Sequence, residues 1–216
     1  MRLLIRTPPR PQRIECAAVL FDMDGTLVDS SRCVERTWRA WCSRHGLDAA
    51  ELFRVSPGRR QHETIALVAP HLDVAAEAAE LSAAEERCLD GIGPVPGARD
   101  LLAALPRDRW AVVTSAWRTL AELRLAAAGL PRPAVLVTAD DVSAGKPDPE
   151  GYLRAGRALG VDPADCLVVE DAPVGLAAAA AAGMRALAVC TTHSGERLAA
   201  RWHCRDLSRI RLEEAW

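Results

Sequence analysis

The sequence predicts an α/β fold, a doubly wound parallel sheet with an inserted α-helical cap domain. From residue 94 onward, short apolar runs of strand length alternate with segments of helical periodicity. An earlier apolar run, residues 17–21, ends abruptly in a charged turn, and the stretch between these two regions has helical patterning without a strand. Repeated strand–helix units of this length are typical of a parallel sheet covered by helices on both faces.

The same pattern divides the chain into segments. Residues 1–13 are rich in Pro and Arg and are predicted to be a flexible lead-in. Residues 14–29 and 94–216 form the predicted α/β core, and residues 30–93 form the predicted α-helical cap. In the cap, Ser30 or Ser31 can begin a helix that Gly46 ends, a second helix follows the turn at 57–60, and a third runs from about 74 to 89.

The remaining strands of the core are predicted from buried apolar runs between helical segments. They are expected at residues 110–114, 134–138, 165–169 and 186–189, with a short last strand at 203–207.

Composition excludes several classes of function. The net charge of −2 gives no reason to expect nucleic acid or an acidic membrane as a partner. No apolar run approaches a membrane span, and the apolar part of the amino-terminal stretch is too short for a signal peptide. The seven cysteines are scattered, odd in number and without a C-x-x-C pair, which indicates reduced thiols in a cytoplasmic protein. We expect a monomer or a dimer.

Two carboxylates, Asp22 and Asp24, follow the first predicted strand. At strand period they lie on the same side of the chain, where two like charges repel unless a cation or a proton separates them. A divalent metal resolves this repulsion, and Mg²⁺ suits hard oxygen ligands that also contact a phosphate. The alternative is an acidic, solvated turn.

Polar residues recur at the ends of three further strands, and parallel strands bring their carboxyl ends to one edge of the sheet. These residues are Thr114 and Ser115, Lys146, and Glu170 and Asp171. Of the 27 Lys and Arg residues only Lys146 is lysine, which indicates a position where the bulkier guanidinium does not serve. Carboxylates, hydroxyls and an ammonium together suit phosphoryl transfer.

Four motifs carry a family resemblance that covers nearly all of residues 15–207. They are D-x-D-G-T at 22–26, a strand ending in Thr-Ser at 114–115, G-K-P-D-P at 145–149 and E-D-A-P-x-G at 170–175. The chain resembles the haloacid dehalogenase superfamily, which has a Rossmann-like core. Within it, the helical segment resembles the small cap of the beta-phosphoglucomutase-like and sugar phosphatase subgroup.

The resemblance implies a role for each acidic residue. Asp22 would be the nucleophile, and Asp24 the general acid and base. Mg²⁺ would be bound by Asp22, by the backbone carbonyl of Asp24 and by Asp171. Glu170 would either bind the metal directly or hold one of its ligands. Asp24 argues against the dehalogenase branch, because a halide leaves without a proton.

The resemblance also implies the phosphate-binding and specificity residues. Lys146 and a hydroxyl of Thr114 or Ser115 would bind the phosphoryl group; alignment with the sugar phosphatases favours Ser115 but leaves both open. Arg59, in the cap, resembles an arginine that meets a substrate hydroxyl or a second phosphate. Arg60 and His62 lie close by. Solvated side chains at a helix start are the alternative.

The predicted function is therefore a Mg²⁺-dependent phosphatase that acts on a small phosphorylated sugar or polyol through an aspartyl-phosphate. The alternative is a phosphosugar mutase, which must hold a bisphosphate; the cap lacks lysine, although its arginines could serve. A non-catalytic phosphate-binding domain is a third reading. The intact set of Asp22, Asp24, Lys146 and Asp171 argues against it.

Overall fold

The computed structural model describes residues 1–6 and 10–214. Its strands, in chain order, are β1 (Arg2–Ile5), β2 (Gln12–Glu15), β3 (Ala18–Phe21), β4 (Val28–Asp29), β5 (Gly93–Pro94), β6 (Trp110–Val113), β7 (Val135–Val137), β8 (Cys166–Glu170), β9 (Arg185–Val189), β10 (Trp202–Cys204) and β11 (Ile210–Glu214). Its α-helices are α1 (Ser31–His45), α2 (Ala49–Val55), α3 (Gln61–Val68), α4 (Val74–Glu86), α5 (Ala98–Ala104), α6 (Arg118–Ala127), α7 (Glu150–Ala158) and α8 (Pro173–Ala181).

A six-stranded parallel sheet forms the centre, with the strand order β10-β9-β8-β3-β6-β7. Both of its faces are covered. Val19 and Phe21 of β3 pack into one apolar cluster, whereas Ala18 and Leu20 pack into another on the opposite face. Strands buried on both faces read as continuous apolar runs rather than as alternating ones, which is why the sequence pattern identified them. The predicted fold class is confirmed.

Helices α1 to α4 lie between β4 and β5 and have an apolar cluster of their own. We call residues 31–86 the helical insertion. Trp38, Trp41, Leu52, Ile65 and Leu81 are buried in this cluster. At its base β4 pairs antiparallel with β5, so both connections to the sheet lie side by side. Gly46 ends α1 in the left-handed conformation as predicted, but α2 was missed, and α4 ends at Glu86.

The prediction of a flexible lead-in over residues 1–13 is wrong for residues 2–5 and 12–13, which lie in strands; residues 7–9 lie outside the described residues. β1 pairs antiparallel with both β2 and β11 in a separate three-stranded sheet. Its inward side chains, Leu3 and Ile5, join the core cluster together with Ile14. The strands β1 and β2 each span only four residues, which is too short for the order of apolar and polar side chains to indicate a strand among the surrounding Arg and Pro.

The prediction that the cysteines are reduced stays a prediction. Cys33 in α1 lies next to Cys88, just after α4, with the Cα atoms 5.7 Å apart. The two positions are 55 residues apart in the sequence, so the spacing alone gave no indication that they meet.

Among the described residues, no helix has both the length and the apolar character that a bilayer crossing requires.

Candidate active site

The polar strand ends meet on four neighbouring strands, β8, β3, β6 and β7. They border a cavity of about 420 Å³ between the sheet and the helical insertion. The predicted residues that line this cavity are Asp22, Asp24, Arg59, Thr114, Ser115 and Asp171. Lys146 and Glu170 are buried beside Asp22. The structure thus brings every predicted site residue to one place.

Lys146 connects the carboxylates of two strands. Its Nζ donates to Oδ1 of Asp22 at 2.5 Å and to Oε1 of Glu170 at 2.7 Å. A third bond reaches the carbonyl of Val113, at the end of β6, at 3.3 Å. The ammonium therefore has all three protons engaged and its position is fixed by β3, β6 and β8 together.

Glu170 has both carboxylate oxygens occupied. Oε1 accepts from Lys146 and, at 3.3 Å, from the hydroxyl of Tyr152. Oε2 accepts the backbone N–H groups of Asp171 and Ala172 at 2.8 and 2.7 Å. These bonds favour a role for Glu170 in holding Lys146 and the turn after β8.

Asp171 is held by two hydroxyls. Thr26 donates to its Oδ1 at 2.8 Å, and Thr192 donates to its Oδ2. Gly25 approaches so closely that a Cβ at this position would lie 2.2 Å from Oδ2. Gly25 also has a φ of +86°, so the D-x-D-G-T turn needs glycine for two separate reasons.

Three carboxylates, those of Asp22, Glu170 and Asp171, offer ligand atoms within 4.8 Å of one another. Burial raises the pKa of Asp22 well above its ordinary value; Lys146 opposes this shift, and Glu170 and Asp171 add to it. Burial, reinforced by Glu170, raises the pKa of Asp171 to about 7. One ammonium does not balance three buried carboxylates, so the donor set fits a hard divalent cation.

The two hydroxyls that follow β6 differ in their contacts. Ser115 donates to the carbonyl of Gly58 in the turn before α3, at 2.7 Å. Thr114 accepts the N–H of Ala116 at 3.1 Å, and its own proton has no acceptor among the described residues. Ser115 thus contacts the insertion, whereas the Thr114 hydroxyl can still donate to a ligand.

Asp24 is bound by residues that the sequence analysis did not single out. Its Oδ1 accepts from Ser30 at 2.6 Å and pairs with Nη1 of Arg124 in α6 at 3.0 Å. Arg124 also reaches Glu85 in α4, with Nη2 2.9 Å from Oε2. Arg124 follows Leu120 by four residues on the buried face of α6, and a charged residue on an apolar face is the signal that could have identified it.

The start of α3 contacts the loop that carries Lys146. Arg60 is buried and donates to the carbonyls of Val142 and Ser143 at 3.3 and 3.2 Å. Glu63 pairs with Arg60 at 2.5 Å and accepts the N–H of Gly145 at 3.1 Å. The alternative of solvated side chains at this helix start does not hold for Arg60.

His62 and Arg59 lie on either side of Arg60 and Gln61. The ring of His62 stacks on Trp117 of the core, with the ring centroids 5.9 Å apart. Arg59 donates its Nε to the carbonyl of Val55 at 3.0 Å and lines the cavity. Among the described residues it has no carboxylate partner, so its charge is available to a ligand.

This fold, with carboxylates, hydroxyls and a buried lysine at its strand ends, defines an enzyme of the hydrolase class. Residues 16–183 match the family model described as a haloacid dehalogenase-like hydrolase. The chain belongs to this family, as its motifs predicted.

The chain is also similar to curated sugar phosphatases. It is 41% identical to hexitol phosphatase A of Escherichia coli over 82% of this chain and 84% of the relative. It is 40% identical to validoxylamine A 7'-phosphate phosphatase of Streptomyces hygroscopicus subsp. limoneus, covering 89% and 94% of the two chains. Among solved structures, CbbY of Rhodobacter sphaeroides in complex with phosphate superposes with a TM-score of 0.79 at 27% identity, covering 89% and 95%.

Proposed function

We propose that the protein is a Mg²⁺-dependent phosphatase of a small phosphorylated sugar or polyol, with Asp22 as the nucleophile. The observation that carries this proposal is the 2.5 Å contact of Lys146 Nζ with Asp22 Oδ1 beside a cavity that Asp24 also lines. A fixed ammonium next to a carboxylate can stabilise the charge of a phosphoryl group that the carboxylate attacks. Relatives named as phosphatases support the assignment.

The reaction proceeds in two displacements. A carboxylate oxygen of Asp22 attacks phosphorus, the bond from phosphorus to the ester oxygen breaks, and Asp24 gives its proton to the departing alkoxide. Water then attacks the aspartyl-phosphate, Asp24 takes a proton from it, and the bond to Asp22 breaks to release inorganic phosphate. Throughout, the ammonium of Lys146 stabilises the charge of the phosphoryl group from its place beside Asp22, and the hydroxyl of Thr114 or Ser115 donates to a phosphoryl oxygen.

Asp22 and Asp171, with the backbone carbonyl of Asp24, would hold the cation. Glu170 supports them through Lys146 and the turn after β8, since each of its oxygens already accepts two hydrogen bonds, whereas each oxygen of Asp171 accepts one. Bound Mg²⁺ would supply positive charge that lowers the repulsion between the carboxylates and the phosphate.

The leaving group would occupy the part of the cavity that faces the insertion. Trp38 and Phe53 line it with aromatic surface, and Glu35 and Glu85 add carboxylates. Gln61 also lines it: Oε1 accepts from Ser82 at 2.5 Å, while Nε2 has no partner among the described residues. Aromatic surface with a few polar groups suits a neutral, hydroxylated leaving group.

The test measures phosphate release from a panel of sugar, polyol and nucleotide phosphates, with Mg²⁺ and with a chelator. We expect release that depends on Mg²⁺ and favours one sugar or polyol ester. Absence of release from every ester would contradict the proposal.

The matched variants are Asp22→Asn and Asp108→Asn. Asp22→Asn should abolish turnover while the fold persists, since an amide cannot form the aspartyl-phosphate. Asp108 is exposed in the turn before β6, and its variant should keep wild-type turnover. Full activity of Asp22→Asn would overturn the assignment of the nucleophile.

A phosphosugar mutase is the second candidate, and Arg59 is the observation that favours it. Its guanidinium, without a carboxylate partner among the described residues, could bind a second phosphate. The carboxylates of Glu35 and Glu85 in the same cavity are paired with Arg39 and Arg124, so they do not exclude a second phosphate. The relatives named as phosphatases favour hydrolysis. Beta-glucose 1-phosphate with a bisphosphate activator tests the mutase, which would interconvert isomers without releasing phosphate.

A further inference from the structure

Arg124 lies at the junction of three parts of the molecule. It belongs to α6 of the core, and its side chain is 4% exposed. Its Nη1 contacts Asp24, in the turn after β3, and its Nη2 contacts Glu85, in the helical insertion. The Glu85 side chain is likewise 4% exposed. A buried charge of this kind is costly unless it is paired, so the Arg124 guanidinium needs its carboxylates.

The contacts of Arg124 fix one oxygen of Asp24 and leave the other available. Oδ1 accepts from both Arg124 and Ser30. No hydrogen bond from the described residues reaches Oδ2. Since Asp24 lines the cavity, this arrangement allows Oδ2 to meet a ligand while Oδ1 is held.

Glu85 completes the arrangement from the insertion. Besides Arg124, its carboxylate accepts from the hydroxyl of Thr37 in α1 at 3.4 Å. It is therefore held by the insertion itself and moves with it. If the insertion moved away from the core, Arg124 would lose one of its two carboxylates.

We propose that Arg124 is a positioning residue, which holds the carboxylate of Asp24 for proton transfer to the leaving group and depends on Glu85 to do so. This inference rests on the proposed phosphatase function. It connects the position of the helical insertion with the proton donor through a single side chain. The geometry of Asp24 is then complete only when the insertion lies against the core.

The test compares two aryl esters, p-nitrophenyl phosphate and phenyl phosphate. Phenolate is the more basic leaving group, with a pKa near that of Tyr at about 10, and so depends more on a proton from Asp24. kcat/KM reports on the steps up to departure of the leaving group, so the later hydrolysis of the aspartyl-phosphate does not affect it.

We expect Arg124→Met to lower kcat/KM for phenyl phosphate about ten-fold more than for p-nitrophenyl phosphate, a part of the usual contribution of general acid catalysis. Arg124→Lys should fall between wild type and Arg124→Met, because an ammonium cannot contact both carboxylates with the fork geometry of a guanidinium. Glu85→Gln should shift the ratio of the two kcat/KM values, p-nitrophenyl phosphate over phenyl phosphate, in the same direction. Arg124→Lys and Glu85→Gln keep a polar side chain at the altered position, so they test the inference even if Arg124→Met does not fold.

Arg118→Met is the matched control. Arg118 lies in the same helix and pairs with a carboxylate, that of Asp141, but does not contact Asp24. The ratio of its kcat/KM values for the two aryl esters should equal that of wild type. The inference is wrong if kcat/KM falls by the same factor for both esters, or for neither, in all three variants, Arg124→Met, Arg124→Lys and Glu85→Gln. If the wild-type protein hydrolyses no ester of any kind, sugar and polyol phosphates included, the proposed function itself fails, whereas an unchanged preference between the two aryl esters overturns only the role of Arg124.

Discussion

Nζ of Lys146 lies 2.5 Å from Oδ1 of Asp22, although 124 residues separate the two in the chain. The contact exists because β7 and β3 are parallel strands of one sheet and their carboxyl ends face the same edge. Lys146 also contacts Glu170, so one ammonium lies between two buried carboxylates.

Replacement of Lys146 by Met should lower kcat by about 10²–10³, the range found for removal of one preorganised donor. Lys146→Arg should also fail, since a planar guanidinium does not fit the place of a compact ammonium in a packed site. Steady-state kinetics with the best ester and Mg²⁺ measures both. As a control, Arg154→Met on the exposed face of α7 should leave kcat unchanged. Retention of more than about a tenth of wild-type kcat in Lys146→Met would contradict its role, given that range.

Gly175→Ala should impair the protein even though alanine is the better helix former by about 1 kcal/mol. A Cβ at Gly175 in α8 would lie 1.6 Å from Oε1 of Glu170, the oxygen that binds Lys146. We expect a lower Tm and a loss of turnover, measured by thermal unfolding and phosphate release. Gly156→Ala in α7 is the control, because its Cβ would meet nothing closer than 3.3 Å. Equal behaviour of the two variants would show that Glu170 tolerates displacement.

The central sheet and the meeting of the predicted site residues could be predicted because both follow from local patterns. A buried strand reads as an apolar run, and parallel strands bring residues such as Asp22 and Thr114 to one edge wherever they lie in sequence. The pairing of β1 with β11 depends on partners at opposite ends of the chain, and no local pattern carries it. Arg124 could have been identified from its place on the apolar face of α6, but its pairing with Glu85 depends on how the helices pack, which no local pattern carries.

Thr114→Val and Ser115→Ala should have different effects. Thr114→Val removes a hydroxyl whose proton has no acceptor in the described part of the chain, so we expect a lower kcat/KM for every ester. Ser115→Ala removes the bond to the carbonyl of Gly58, which precedes Arg59, so we expect a higher KM chiefly for sugar esters. Kinetics with p-nitrophenyl phosphate and the best sugar ester distinguishes them. The reverse pattern would assign phosphate binding to Ser115.

Arg59→Ala should raise KM or lower turnover selectively for the best substrate. Arg59 lines the cavity from the helical insertion, where we expect the leaving group, so p-nitrophenyl phosphate should be affected little. Arg54→Ala, an exposed residue of α2 paired with Glu51, serves as the control. The same fold-change with every ester would count against a specificity role for Arg59.

Glu63→Gln should remove a pH-dependent part of the stability. Burial alone would raise the pKa of Glu63, but Arg60 and the N–H of Gly145 outweigh it and hold the pKa below its ordinary value of 4.5. Near this pH the unfolded chain binds more protons than the folded one, so the contribution is present above pH 4.5 and is lost as the pH falls through the lowered pKa.

The measurement is Tm against pH for wild type and Glu63→Gln. We expect the variant to unfold about 1–3 °C lower near pH 7, the effect of a partly exposed ion pair, and the two curves to converge at acidic pH. Glu51→Gln, in an exposed pair on α2, should show a smaller difference. A constant difference at every pH would exclude the ionisation of Glu63 as its source.

Lysine occurs once in the sequence, and its amine is buried and charged. Burial alone would lower the pKa of Lys146, but Asp22 and Glu170 outweigh it and raise the pKa well above its ordinary value. Acylating reagents need an accessible, uncharged amine, so they should modify this side chain only when the strand ends open. The rate at which this single lysine is acylated would then report how often the strand ends open. A bound phosphate ester should lower that rate.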